Sequence, residues 1–262
     1  MSAASQAVRR AAARFSLGAL EAVRDRPGNP RAIHIRRFGG AVAVASEAEP
    51  ELDFMNWLLL LDPDDAGRVG EITDFYRGLG CRGTIEVTPA PDVERLLEAL
   101  AEHGWRQVGF HAAFAGPPRV PEAAPARVRV RAVGPDEAER FGALMAEGHE
   151  VPAEARAEAA RDFATWTTRG WRLSIAEVDG EPAAGGVLVV DGETAFLANA
   201  ATLPRWRGRG AQTALIRHRI EAARAAGCRR VGGLALFGSG SQRNLERAGL
   251  ALCHTQSVLR MS

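Results

Sequence analysis

The run Thr202-Leu203-Pro204-Arg205-Trp206-Arg207-Gly208-Arg209-Gly210-Ala211-Gln212-Thr213-Ala214-Leu215-Ile216 decides how this chain is read. An apolar extended segment ends where it begins and an amphipathic helix follows, so its two glycines stand at a strand-to-helix turn. Gly208 and Gly210 permit backbone conformations in which N–H groups converge. The first turn of the helix adds amides without intrahelical acceptors and the positive end of the helix dipole. Together these make a cradle for an anion such as a pyrophosphate. Arg207 and Arg209 add charge-assisted donors, and the amides of Gln212 and Thr213 point the same way. A bare glycine pair reads equally as a tight turn with solvated arginines, so the surroundings have to decide.

Downstream, the pattern predicts a helix over 212–226, a strand over 231–236, a short helix over 242–248 and a final strand over 252–259. Upstream, three strands at 171–177, 183–190 and 194–202 are separated by the turn pairs Asp179-Gly180 and Asp191-Gly192. A strand at 128–132 precedes them, then a helix introduced by Gly134, Pro135 and Asp136 that runs through Glu147, and a second helix over 153–168.

This order, with Pro204 ahead of Arg207 and an apolar helix start after it, resembles the GNAT acyltransferase superfamily. There a strand ending Val-x-Pro leads into Arg/Gln-x-x-Gly-x-Gly/Ala. Arg207 opens the motif, Gly210 is its central glycine, and Gln212 stands where the family has a small residue. The glutamine is a departure, although its amide can face a phosphate while its side chain points outward. The likeness continues in Gly227-Cys228 before a strand and in the run from Ser241 to Leu250 before the last one. It implies an α+β fold, a mostly antiparallel sheet flanked by helices and splayed between its fourth and fifth strands. It also implies acetyl-CoA as cosubstrate. The pantetheine arm would lie along Ala200, Ala201 and Thr202, and the pyrophosphate at Arg207, Gly208, Arg209, Gly210, Ala211, Gln212 and Thr213. Asn244 would lie near the coenzyme; read from the residues alone, it caps the short helix or faces solvent.

Members of the family commonly use a strand amide for the oxyanion and a tyrosine as proton donor to the departing thiolate. Here Leu245 stands where that tyrosine is expected, four residues before Gly249, and the single tyrosine of the chain is Tyr76. The remaining catalytic candidates are His254 on the last strand, Asn199 on the fourth, and Glu150, beside His149 in the loop between the first two helices. Each has a plainer reading, as a locally satisfied strand histidine, a side chain of either strand parity, and a solvated loop. Asp162 and Trp166, one helical turn apart, suggest either an amine pocket or a half-buried helix face. The expected activity is transfer of an acetyl group from acetyl-CoA to the amine of a small molecule. A non-catalytic acyl-CoA-binding or sensing module is the alternative, and transfer to a protein amine a third reading.

A length of 262 residues suits two compact units. The proline-rich stretch 117–126, with Pro117, Pro118, Pro121 and Pro125, separates 1–116 from 127–262. The first part shows a similar order, with helices predicted over 7–24, 67–79 and 92–103, Asp92 as the N-cap of the last, and strands over 41–46, 54–61 and 84–87. It reads as a degenerate GNAT-like domain. Where its phosphate loop would fall, Asp62, Asp64 and Asp65 would repel a pyrophosphate. Phe54, Trp57 and Tyr76 read as core.

All 33 basic residues are arginine, which removes Schiff-base and Walker-type lysine chemistry. A net charge of +1 gives no reason to expect nucleic acid. No apolar stretch approaches the roughly 20 residues a bilayer needs, and none forms a signal core. Cys81, Cys228 and Cys253 are odd in number and widely spaced, which fits a reducing, cytoplasmic setting, and no cluster suggests a metal. A tandem chain can act as its own pseudo-dimer, so its composition sets no oligomeric state.

Overall fold

The computed structural model describes residues 2–121 and 127–262. The elements run α1 (Ala3–Arg24), β1 (Ile33–Phe38), β2 (Ala41–Ser46), β3 (Trp57–Leu59), α2 (Val69–Gly78), β4 (Thr84–Val87), α3 (Val93–Glu102) and β5 (Trp105–Gly116). There follow β6 (Val128–Ala132), α4 (Ala138–Gly148), α5 (Ala153–Ala164), β7 (Arg172–Val178), β8 (Glu181–Asp191) and β9 (Thr194–Thr202). The chain ends with α6 (Ala211–Ala225), β10 (Arg230–Leu236), α7 (Gly240–Arg247) and β11 (Ala251–Met261). The fold is α+β. Contacts divide it into a first unit of Met1–Ala113, Ala235–Phe237 and Cys253–Ser262, and a second of Phe114–Leu234 and Gly238–Leu252. The proline-rich segment falls in part on 122–126, outside the described residues.

In the first unit the strand order is β1-β2-β3-β4-β11-β5. The last strand of the chain thus lies beside β4, antiparallel, with Ser257 opposite Val87 and Arg260 opposite Thr84. β3 and β4 are parallel and joined through α2. The strand predicted over 54–61 is shorter than its composition suggests. Asp53–Met55 makes a 3-10 turn, and the buried Asn56 side chain accepts from the Ser46 amide (2.9 Å) and donates to the carbonyls of Glu49 (2.7 Å) and Leu52 (3.0 Å). β1 escaped the sequence reading because its centre is charged, with Arg36 and Arg37 exposed. Asp92 marks the start of α3 but does not cap it by its side chain. Its φ of 58° is left-handed, whereas a side-chain cap needs extended backbone.

In the second unit the order is β10-β9-β8-β7-β6, a meander closed by one parallel strand. β6 to β9 pair antiparallel in sequence, and β10 returns parallel to β9 after the α6 crossover. Gly185 and Gly186 show which helices cover the two faces. A Cβ on Gly185 would lie 2.7 Å from Met145 of α4, and one on Gly186 would lie 3.1 Å from Arg219 of α6. Consecutive strand residues face opposite ways, so α4 and α6 pack on opposite faces of this sheet. α4 and α5 cross so closely that a Cβ on Gly142 would stand 2.0 Å from the Ala160 carbonyl. No helix among the described residues is long and apolar enough to cross a membrane.

Candidate active site

The site begins where β9 and β10 part. Their register covers only Arg230–Gly232 against Thr194–Phe196, although β9 continues to Thr202 and β10 to Leu236. On its other side β9 remains paired with β8, but the register shifts between Gly186 and Val187. Gly186 faces Ala200 and Val187 faces Ala198, which leaves Asn199 as the extra residue of a β-bulge. A bulge kinks the strand, and the small side chains of Ala200 and Ala201 keep its parted edge low.

β9 runs directly into the glycine loop. Pro204–Trp206 forms a 3-10 turn, and Gly208 (φ 75°) and Gly210 (φ 86°) take the left-handed conformation that favours glycine. A Cβ on Gly208 would meet nothing within 4 Å, so the loop has open space before it. Gly210 is the N-cap of α6 and offers no side chain to its amides. The first bond into the helix runs from the Ala214 amide to the Gly210 carbonyl (3.0 Å), which leaves the amides of Ala211, Gln212 and Thr213 as the orphan donors of a helix start. Trp206 Nε1 and Gln212 Oε1 are buried beside this turn without a hydrogen-bond partner. Arg209 stacks over the Trp206 ring, 5.0 Å from its centroid.

Opposite the loop stands the C-terminus of α4, which ends in a Schellman motif. Val151 N–H donates to Ala146 (3.1 Å) and Glu150 N–H to Glu147 (2.9 Å), with Glu150 left-handed at φ 55°. The motif fixes Glu150 just past the helix, where its carboxylate pairs with Arg207 (2.5 Å); Arg205 pairs with Glu147 (2.5 Å). Arg207 also donates to the carbonyls of Thr202 (3.4 Å) and Gly148 (3.5 Å). A cleft of about 410 Å³ opens here, lined by Glu147, Glu150, Val151, Pro152, Arg156 and Arg205 among others. His149 caps α4, places Nε2 2.6 Å from Asn199 Oδ1 and stacks on Phe163 at 5.6 Å and 24°. Desolvation by these neighbours pushes its pKa below the ordinary histidine value, against the opposing pull of the Asn199 hydrogen bond.

A scan of protein families matches residues 118–234 to the GNAT acetyltransferase domain. Residues 118–234 carry a GNAT domain. Among solved structures, a GCN5-related N-acetyltransferase from Kribbella flavida aligns over 95% of this chain and 95% of its own at 18% identity, with a TM-score of 0.63. Another from Sphaerobacter thermophilus covers 96% and 90% at 18% identity and a TM-score of 0.59. A tandem GNAT protein from the clavulanic acid biosynthesis pathway covers 88% and 83% at 17% identity and a TM-score of 0.65. At such identities the likeness is one of fold. The chain has no match among curated proteins.

Within the GNAT domain Asn199, Ala200, Ala201 and Thr202 lie on β9, which runs into the loop 207–213, and of these candidates Glu150 lines the cleft and pairs with Arg207. Asn244 lies on α7. Its side chain accepts from Arg247 on the same helix, and Ser239 caps that helix instead. Leu245 is buried and packs where Gly233 leaves room. Asp162 and Trp166 are buried, Trp166 in an aromatic group with Phe163 and Trp171. His254 belongs to the first unit, on β11, with Nδ1 3.5 Å from Cys253 Sγ and Nε2 buried without a partner.

His149, read beside Glu150 as part of a loop, is exposed there and hydrogen-bonds Asn199. Arg219 escaped the sequence reading altogether, and it is 2% exposed. The available signal was its place in the stripe Ala211, Leu215, Arg219, Ala223, whose other members are small or apolar and buried.

Proposed function

We propose that the GNAT domain is an N-acyltransferase that moves an acetyl group from acetyl-CoA to the amine of a small molecule. One continuous feature carries the reading: a parted, bulged β9 that leads straight into a two-glycine loop and the first turn of α6. The residues fit the cosubstrate. The open space before Gly208 admits a phosphate, and the orphan amides of 211–213 and the guanidinium groups of Arg207 and Arg209 suit its charge. The free edge of β9 at Ala200–Thr202 suits the amide-bearing arm.

A phosphate bound at Arg207 competes with Glu150 for the guanidinium. Its arrival turns the Glu150 carboxylate back to the cleft, where Glu147 and Glu150 suit a cationic amine before it loses its proton. His149 is the base in this reading. With Asn199 Oδ1 accepting from Nε2–H, Nδ1 of the neutral ring keeps its lone pair. It takes the proton released as the amine nitrogen bonds to the thioester carbon and the C–S bond breaks, and the thiolate is protonated by water. Leu245 favours a second reading, a non-catalytic acyl-CoA-binding module, since no hydroxyl stands at that position.

Calorimetric titration with acetyl-CoA and with CoA tests the assignment. The wild type should bind one equivalent per chain, and Arg207→Glu/Arg209→Glu should bind neither while keeping its circular dichroism. Unchanged affinity in that variant would refute the loop. Binding without thiol release across a broad amine panel would favour the second reading.

A further inference from the structure

We infer that Arg219 is a positioning residue that fixes and polarises the bulged peptide of β9, so that the amide of Asn199 becomes a strengthened hydrogen-bond donor to the acyl carbonyl. The inference rests on the acyltransferase reading and deepens it.

The starting observation is a buried cation without a counter-charge. Arg219 is 2% exposed, and none of the described carboxylates forms an ion pair with it. Burial lowers its pKa to about 10, which leaves it charged at neutral pH. A leucine or methionine would fill the same core without the desolvation penalty of a guanidinium. The charge is instead spent on carbonyls. Nε donates to Leu215 in its own helix (3.1 Å), and Nη1 donates to Ala198 (2.9 Å) and Val187 (3.2 Å).

Those last two carbonyls belong to the pair that closes the bulge, with Asn199 the next residue. The fold makes room for this arrangement at one position. A Cβ on Gly186 would stand 3.1 Å from Arg219 Cζ and 3.2 Å from Nη1, so the guanidinium occupies the space that a side chain on β8 would claim.

Two consequences follow from peptide geometry. In a trans peptide the C=O and N–H point in opposite directions, so holding the Ala198 carbonyl toward α6 directs the Asn199 N–H away from it. α4 covers the opposite face, and its C-terminus carries His149 and Glu150. A charge-assisted bond to the carbonyl also withdraws electron density through the peptide, which makes the N–H a better donor. A donor fixed and polarised before the reaction is the arrangement that stabilises a developing oxyanion.

The test reads the carbonyl itself. Infrared difference spectra of bound acetyl-CoA, unlabelled against ¹³C-labelled at the carbonyl, report the thioester C=O stretch. The wild type should show a band lowered from that of the free cosubstrate. Arg219→Met should return it most of the way with affinity within about threefold of wild type, and Arg219→Lys should retain an intermediate shift. Gly186→Ala displaces the guanidinium without removing its charge and should also weaken the shift, which covers a folding failure of the methionine variant. A wild-type band at the free position, or a full shift that survives in the folded variants, overturns the inference and leaves the acyltransferase reading standing. Absence of acetyl-CoA binding to the wild type overturns both.

Discussion

The two units solve the same connection in opposite ways. In each, a strand leads through a short turn into a crossover helix and on to a parallel neighbour, β3 through α2 to β4 and β9 through α6 to β10. In the first, Pro63–Arg68 forms a 3-10 helix whose entry is a capping box, and the Asp65 carboxylate turns back on the Asp62 amide at 3.4 Å. Arg9 pairs with Asp62 at 2.5 Å, and Asp65 reaches Arg68 at 3.6 Å. In the second, Pro204–Trp206 opens into left-handed Gly208 and Gly210, and no side chain caps the helix. Where the first unit answers its helix-start donors with its own carboxylates, the second leaves those of α6 without a side-chain cap, as the proposed anion site requires.

The largest effect should come from making the second crossing resemble the first. Gly208→Asp places a carboxylate in the open space before the loop, at a backbone conformation that aspartate tolerates better than most residues. Repulsion between unit charges near 4 Å is worth several kcal/mol at a protein surface before screening. Coenzyme affinity should therefore fall about 100-fold, or about 2.8 kcal/mol. Gly208→Ala, which shares the strain without the charge, should lose much less. Equal losses in calorimetry would assign the effect to backbone strain and not to the anion.

The reverse change should be smaller. Asp62→Ala/Asp65→Ala removes the capping box and the Arg9 ion pair, and should cost about 1 to 2 kcal/mol of stability in denaturant titration. It should not create a second coenzyme site. The 3-10 turn there passes straight into α2 through right-handed Val69, with none of the left-handed glycines that open the other loop. Two equivalents of bound coenzyme would show that charge alone, and not backbone shape, distinguishes the crossings.

This contrast also marks how far the sequence could be read. Both crossings were legible because they are local: Gly208, Gly210 and the apolar start of α6 in one, Asp62, Asp64 and Asp65 in the other. The meander of β7, β8 and β9 was equally plain from its Asp-Gly turns. What stayed hidden depends on register and packing. A bulge at Asn199 is a count of residues on two strands, which no single strand reveals. The Arg219–Gly186 pair is a contact between a helix and a strand 33 positions apart. The place of β11 beside β4 is a long-range choice, since its own pattern fits a strand in either sheet.

The smallest predicted effect compares two histidines. His111, on β5 of the first unit, is penalised by burial, but its hydrogen bond to Glu86 and that carboxylate's charge outweigh the penalty, and its pKa is raised. His149 meets the same penalty with only a neutral amide as partner, and its pKa is lowered. Both start from an ordinary value of 6.5. Because the folded pKa of His149 lies below the unfolded one, acidification protonates the unfolded chain first. Its contribution to stability is therefore present above about pH 6.5 and lost as pH falls through the folded value. His111 behaves oppositely, contributing fully below about pH 6.5 and losing that contribution as pH rises through its folded value. Proton NMR titration of the two rings should give midpoints on either side of about 6.5. Asn199→Ala should lower the His149 midpoint further, since the amide oxygen favours the protonated ring, and should leave His111 unmoved. A His149 midpoint that rises in that variant would mean the amide presents its NH₂ to the ring, so that Nε2 and not Nδ1 carries the lone pair and the base in the proposed transfer is turned around.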